Sequence, residues 1–220
     1  MNRQTIAAAA LDLLDEDGLD ALSLRKLATR LGVKSPALYW HFTNKHELLD
    51  EMARLLVSAQ PPSPLAAEEG WDTWMLRFAR NRRQVLLSRR DGARLVVGSR
   101  GTEETITALD AALAGLLERG FTAVQALRGL TTINAFVLGF VQEEQADTQR
   151  HAETGERRPE DTLVEQRDQL LRHTPALAEA IASGGDPGGT AAFEDGLRVI
   201  VSGIAAVVGL PVSGTAPSGT

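Results

Sequence analysis

In a chain of 220 residues that holds one tyrosine and three tryptophans, Tyr39, Trp40, His41 and Phe42 stand side by side. A phenol beside an imidazole can hydrogen-bond phosphate oxygens or the edges of nucleic-acid bases, and Ala37 can touch a thymine methyl. Arg25, Lys26, Arg30, Lys34 and Lys45 surround this group, and residues 23–46 contain no Asp or Glu. The whole chain carries a net charge of −6, so it does not attract nucleic acid in general. Salt confines exposed charges to roughly 8–10 Å, and the local basic stretch therefore counts for more than the sum. Arg25 and Lys26, in the first turn of one helix, and Lys45 beyond the aromatic group are placed to grip a phosphate backbone on either side. The bland alternative is that the aromatics are core. Phe42 suits that reading, whereas Tyr39 and His41 read as contacts to DNA. Trp40 fits either place, and both readings stay open.

Other chemistries lack their residues. Without cysteine there is no disulfide framework, thiolate metal site or thiol nucleophile. The four histidines (41, 46, 151 and 173) show no metal-binding spacing, and no glycine-rich phosphate loop follows a strand. Glu143 and Glu144 are adjacent, hence on diverging helix faces, and read as solvated. No enzyme activity, metal or cofactor is expected. No run of about 18 apolar residues is present, so no membrane span or membrane partner is expected either. Acids at 12, 15, 16 and 17 interrupt the N-terminus as a signal peptide. A cytoplasmic location follows as the expectation.

The elements that must position these residues read as helical throughout, an all-α fold. Ile6, Ala10, Leu13 and Leu14 share one face of a first helix, which Gly18 stops. Ser23 caps a second, with Leu24, Leu27, Ala28 and Leu31 as its apolar stripe and Gly32 at its end. Ser35 reads as the cap of a short third helix with Pro36 at its first position. On it, Leu38 and Phe42 point inward with Val33. Asn44 and Glu47 resemble a capping box for a fourth helix. Two short helices joined by a glycine-containing turn are the helix-turn-helix signature. Residues 1–59 form this first domain.

The prolines at 61, 62 and 64 make a connector. Helices are expected near 71–88, 92–97, 103–119, 123–149, 160–182 and 190–209, within a second domain of residues 60–210. Asp147 to Asp161 reads as a polar loop and Gly184 to Gly189 as a flexible break. Residues 211–220 read as a disordered tail. On 71–88, Trp74, Phe78 and Arg82 recur every four residues. They make either a core face with a solvated arginine or an apolar pocket wall with one charged anchor. On 123–149, Asn134 and Gln142 lie among apolar neighbours and must bridge to other helices or face a ligand.

The run LSLRKLATRLGVKSPALYWHFTNKHELLD resembles the TetR family of bacterial transcriptional repressors over roughly residues 3–57. RRDGARLVVGSRG and ERGFT extend the resemblance, more weakly, toward the tetracycline-repressor branch. The resemblance implies a homodimer with two DNA-reading heads on a palindromic operator, paired through a four-helix bundle, and a small-molecule inducer pocket in each C-terminal domain. In the family, the DNA-contacting positions match Arg25, Ser35, Pro36, Ala37, Tyr39, His41 and Lys45. Ser35 and Ala37 are smaller than the branch commonly has, so the operator sequence should differ. The branch's metal-coordinating histidine falls at Val96, its hydrogen-bonding asparagine at Phe78 and a later glutamine at Ala112. Valine cannot ligate Mg²⁺, so the departures imply an aromatic or lipophilic inducer in place of a metal–tetracycline chelate. Arg100 matches a pocket-side arginine and reads as a polar anchor, a hinge contact or, equally, a surface residue. Leu138, Val141, Val199, Ile200, Ile204 and Val207 could supply the dimer bundle. The function implied is a ligand-responsive repressor; the alternatives are a DNA-binding activator or regulator without inducer, and a small-molecule-binding protein that has lost DNA.

Overall fold

A computed structural model of the chain describes residues 2–61, 63–154, 173–183 and 188–213. Among these the chain forms ten helices and no strand. They are α1 (Arg3–Asp17), α2 (Leu24–Arg30), α3 (Ser35–Tyr39), α4 (Lys45–Ser58), α5 (Trp71–Leu87), α6 (Gly92–Val97), α7 (Glu103–Glu118), α8 (Ala123–Thr154), α9 (Pro175–Ala182) and α10 (Gly189–Val208).

Side-chain caps set most of the starts in the first half. The Asn2 side chain accepts from Thr5 N at 2.8 Å, Ser23 Oγ from Lys26 N at 3.2 Å and Asn44 Oδ1 from Glu47 N at 3.0 Å. Two expectations shift by one residue. Ser35 is the first residue of α3, not its cap; Lys34 holds that position without a side-chain bond. Pro36 has no N–H to offer a cap, so entering the helix a residue earlier forfeits little. Glu47 returns not to Asn44 but to Thr43 N, at 2.9 Å.

Two apolar cores follow. In the first, Ile6, Ala10 and Leu14 of α1 meet Leu27 of α2, Leu38 and Phe42 around α3, and Leu48 and Met52 of α4. Val85 of α5 and Leu95 of α6 belong to this same core, so it reaches across the boundary expected at residue 59. The second gathers Trp74 and Met75 of α5, Leu116 of α7, Ile133, Val137 and Val141 of α8, and Phe193 and Leu197 of α10. Val96 packs against both.

A polar seam lies beside the shared apolar one. The turn between α5 and α6 reaches the C-terminal end of α1: Arg89 pairs with Asp12 at 3.1 Å and Asp15 at 2.5 Å. Asp91 Oδ2 accepts from Leu19 N at 2.8 Å, and Arg94 joins Asp20 at 2.9 Å to Asp91 at 3.2 Å. Asp91 is buried and left-handed, with φ 55°. Burial pushes its carboxyl up, but donors from Gln149, Leu19 N and Arg94 outweigh it and hold the group below its ordinary value. At Gly92 a Cβ would sit 2.2 Å from the Leu86 carbonyl oxygen, so only glycine fits.

The second half departs from expectation in three places. Helix α8 runs on through Asp147 to Thr154, so the polar loop does not begin where the acids do. Of the helix expected at 160–182, only Pro175–Ala182 is described, and residues 155–172 and 184–187 lie outside the described residues. Pro211 to Ser213, assigned to a disordered tail, instead dock on α5. Trp71 Nε1 donates to Pro211 O at 3.1 Å, while Ser213 N and Oγ donate to the buried Asp72 at 2.7 and 2.6 Å. Residues 214–220 lie outside the described residues. By length and composition α8 alone among the described helices could cross a membrane. Its Ala126, Leu130, Ile133, Val137 and Val141 face the protein's own core.

Candidate functional site

The aromatic group splits as its spacing implies. Leu38 and Phe42 are wholly buried, and they pin α3 onto α2 and α4. Tyr39 is 56% exposed and Trp40 89% exposed, which removes the core reading of Trp40. Pro36 is exposed, and Ser35, Ala37 and His41 are half-buried on the same end of the head. The turn that carries His41 is held by Arg3, a residue the sequence reading overlooked. Its guanidinium lies 4.3 Å from the Phe42 ring centre and donates to the His41 carbonyl. An arginine near a chain start has no periodicity to mark it, so no sequence signal pointed to this tether.

The basic stretch is less free than its charge count suggests. Lys26 pairs with Asp17 at 3.2 Å and Arg30 with Glu16, both acids of the preceding run. Glu16 is drawn below its usual range by the Arg30 hydrogen bond. Lys45 reaches the Leu19 carbonyl at 3.5 Å. Arg25 and Lys34, both exposed, form no ion pair among the described residues.

Beneath the head lies a cavity of about 440 Å³, within the roughly 300–1,000 Å³ range of small-molecule sites. Its wall is shared by α4 (Ala53, Arg54, Val57), α5 (Phe78, Arg82, Val85), α6 and its exit (Val96, Ser99, Arg100), α7 (Ile106, Leu109, Ala112) and α8 (Leu127, Leu130, Thr131, Asn134). Five of the seven expected ligand residues therefore line it: Phe78, Arg82, Val96, Arg100 and Asn134.

The other two do not. Trp74 is buried behind the wall, stacked on Phe78 with ring centres 5.5 Å apart, and its Nε1 donates to Ser63 O. Gln142 is exposed on α8. The amide that turns inward is Gln145, which donates to the carbonyls of Leu86 and Arg89 and accepts from Ala93 N at 3.2 Å. Glu144, expected to be solvated, pairs with Arg83. Arg54 is committed to Glu51 at 2.7 Å. The Arg82 Nε is buried without any hydrogen-bond partner. Among the described residues no group of His, Cys, Asp and Glu could hold a metal ion, and the cavity wall contains none of these residue types.

On the solvent side, Val199 and Val207 of α10 are 71% and 79% exposed. Gly203 between them has open space around it. Val124 and Leu127 of α8 are also exposed. Val141, expected at an intersubunit surface, is instead buried in its own chain's core.

Comparison with known proteins finds matches to both parts of the chain. Residues 6–52 match the family model described as bacterial regulatory proteins, tetR family, and residues 63–208 the tetracyclin repressor-like C-terminal domain. The tetracycline repressor protein class A from transposon 1721 of Escherichia coli is 45% identical over 202 residues, covering 91% of this chain and 89% of that protein. A possible TetR family transcriptional regulator from Streptomyces coelicolor A3(2) superposes with a TM-score of 0.81 at 34% identity, covering 94% of this chain and 100% of the other. TetR(class A) in complex with 5a,6-anhydrotetracycline and magnesium gives a TM-score of 0.71 at 38% identity, covering 94% and 99%. A DNA-reading head of four helices above a walled cavity, matched along nearly its whole length, makes this chain a member of the TetR family of bacterial regulatory proteins.

Proposed function

We propose that the protein is a ligand-responsive transcriptional repressor. It binds a palindromic DNA operator as a homodimer and is released by a lipophilic or aromatic small molecule. One observation carries this reading: α4 is at once a wall of the cavity and part of the apolar core that seats α3. An occupant that pushes on Ala53, Arg54 or Val57 moves the helix on which the reading surface rests. In a homodimer the two α3 helices must sit about 34–36 Å apart to enter successive major grooves, so a small tilt of α4 is enough to spoil the fit. Differential ligand affinity worth about 1–3 kcal/mol per site suffices for the switch.

Arg25 is assigned to phosphates, as are Lys26 and Lys45 once they exchange their exposed contacts to Asp17 and the Leu19 carbonyl; Ser35, Pro36, Ala37 and Tyr39 are assigned to base edges and sugars, and Trp40 and His41 to the flanking backbone. The exposed strip Val199, Gly203 and Val207, with Val124 and Leu127, supports pairing through α8 and α10, since an apolar strip of this kind is poorly left in water.

One relative named above is a tetracycline repressor, and TetR(class A) is solved with 5a,6-anhydrotetracycline and magnesium. The donor set here does not suit that chelate. The wall offers hydroxyls, Asn81, Gln60 and Asn134 but no carboxylate or imidazole, and three arginines repel a divalent cation. Magnesium with tetracycline is therefore expected to leave the operator complex intact.

Selection of bound duplexes from a random pool, followed by gel shift, tests the reading. A palindrome should emerge, and Tyr39→Ala should weaken it about tenfold or more with unchanged helicity. Recovery of no preferred sequence would remove the repressor assignment. A palindrome that no aromatic compound releases would leave a regulator without inducer.

A further inference from the structure

Helix α5 carries four arginines that separate into two kinds. Arg77, Arg80 and Arg83 each fork onto a carboxylate, of Glu69, Glu194 and Glu144 respectively. Arg82, on the cavity side, has none: its Nε is the one buried side-chain nitrogen or oxygen without a partner among the described residues. Arg82 is half-buried, and its Nε is shut off from water at a desolvation cost that no partner inside the chain offsets. Burial pulls the guanidinium below its ordinary value, with no carboxylate opposing the shift.

The cavity wall holds no Asp or Glu. Of its three arginines, Arg54 is already satisfied by Glu51 and Arg100 is exposed at the rim. Around Arg82 the surfaces of Phe78, Val85 and Val96 are apolar. A planar fork on the wall of a mostly apolar cavity is best complemented by an anionic oxygen on an apolar body.

We infer that the ligand of this cavity carries an anionic oxygen, a carboxylate, sulfonate or phenolate on an aromatic or lipophilic frame, and that Arg82 holds it. The inference rests on the cavity being a ligand site, as proposed above. The phenyl-ring wall at Phe78 takes the flat body, while Asn134 and Thr131 face the remaining polar edge.

The test uses two dyes that share one ring system: 1-anilinonaphthalene-8-sulfonate, and N-phenyl-1-naphthylamine, which lacks the sulfonate. Each is titrated by fluorescence against the full chain without DNA. The anion should bind the wild type at least about tenfold more tightly than the neutral dye. Arg82→Met should erase that margin and leave the neutral dye within about twofold. Arg82→Lys, which keeps the charge but not the fork, should retain part of it and serves if the methionine variant does not fold. Ala112→Trp, filling the cavity, should block both dyes and so place them there. Equal binding of the two dyes, or an anion affinity indifferent to Arg82→Met, overturns the inference alone. So does anion binding that survives Ala112→Trp. Binding of neither dye overturns the ligand-cavity reading together with it.

Discussion

Replacing Asp91 examines the joint between head and cavity at its most constrained point. The carboxylate is buried and takes three donors: Leu19 N at 2.8 Å, Gln149 Nε2 at 2.9 Å and Arg94 Nη1 at 3.2 Å. Arg94 keeps Asp20 when Asp91 is removed, so two donors lose their main partner. At roughly 1–3 kcal/mol for each buried donor left unsatisfied, reduced by partial solvent access, the loss is about 2–3 kcal/mol. The backbone adds to it. A φ of 55° suits Asp, Asn and Gly but strains Ala by about 1 kcal/mol. Asp91→Ala should therefore cost about 3–4 kcal/mol, Asp91→Gly about 1 kcal/mol less, and Asp91→Asn, which keeps one acceptor and the backbone fit, about 1–2 kcal/mol. Urea denaturation at one fixed protein concentration gives these differences, because the stability of any self-associating protein moves with concentration.

The pH dependence has a definite sign. The folded-state carboxyl lies below its ordinary value of 3.8, so the unfolded chain takes up the proton first. The stabilisation is fully present above pH 3.8 and fades as pH falls through the folded value. Asparagine does not titrate, so the gap between wild type and Asp91→Asn should narrow on acidification. An Asp91→Ala protein within about 0.5 kcal/mol of wild type at pH 7, or a gap that widens in acid, refutes the reasoning.

Other consequences are simpler to check. Trp40→Ala should leave the melting temperature unchanged, since the ring is exposed, yet weaken binding to the selected operator several-fold in a gel shift. Gly92→Ala should cost at least about 2 kcal/mol in urea, because its Cβ would overlap a backbone carbonyl that cannot retreat. Ending the chain after Leu210 strips Asp72 and the Trp71 indole of their partners and should lower stability by about 2–4 kcal/mol.

The head was legible because its signals are local. Caps, a glycine turn and apolar spacing of three and four residues all act within one turn of helix, and α1 to α4 follow from them. What the sequence hid was phase and long-range pairing. On α8, Ile133, Val137 and Val141 track inward, and a step of about 100° per residue puts Glu144 and Gln145 next on that face. Gln142 is polar and sits among apolar neighbours, but it comes one step after Val141 and turns outward. The tail misled for a similar reason. Nothing in Pro211 to Ser213 announces that Asp72, 141 residues earlier, is buried and short of donors. Arg82 was the reverse case: spacing left it open between a solvated surface and a pocket wall, and only packing puts it on the wall with its Nε unpaired.

The shared first core changes what counts as an exchangeable part. Val85 and Leu95 fill the underside of the head, so residues 1–59 lifted out alone would carry an apolar hole into water. A chimera meant to give this protein's operator preference to a relative, or the reverse, must match the bulk at those two positions. It must also keep Arg89, Asp91 and Arg94 opposite Asp15, Leu19 and Asp20. The narrower transplant is the surface alone, Ser35 to Phe42 with Leu38 and Phe42 as its own pegs, and on the proposed reading it should carry the operator preference while leaving α4 and the α5–α6 turn in place.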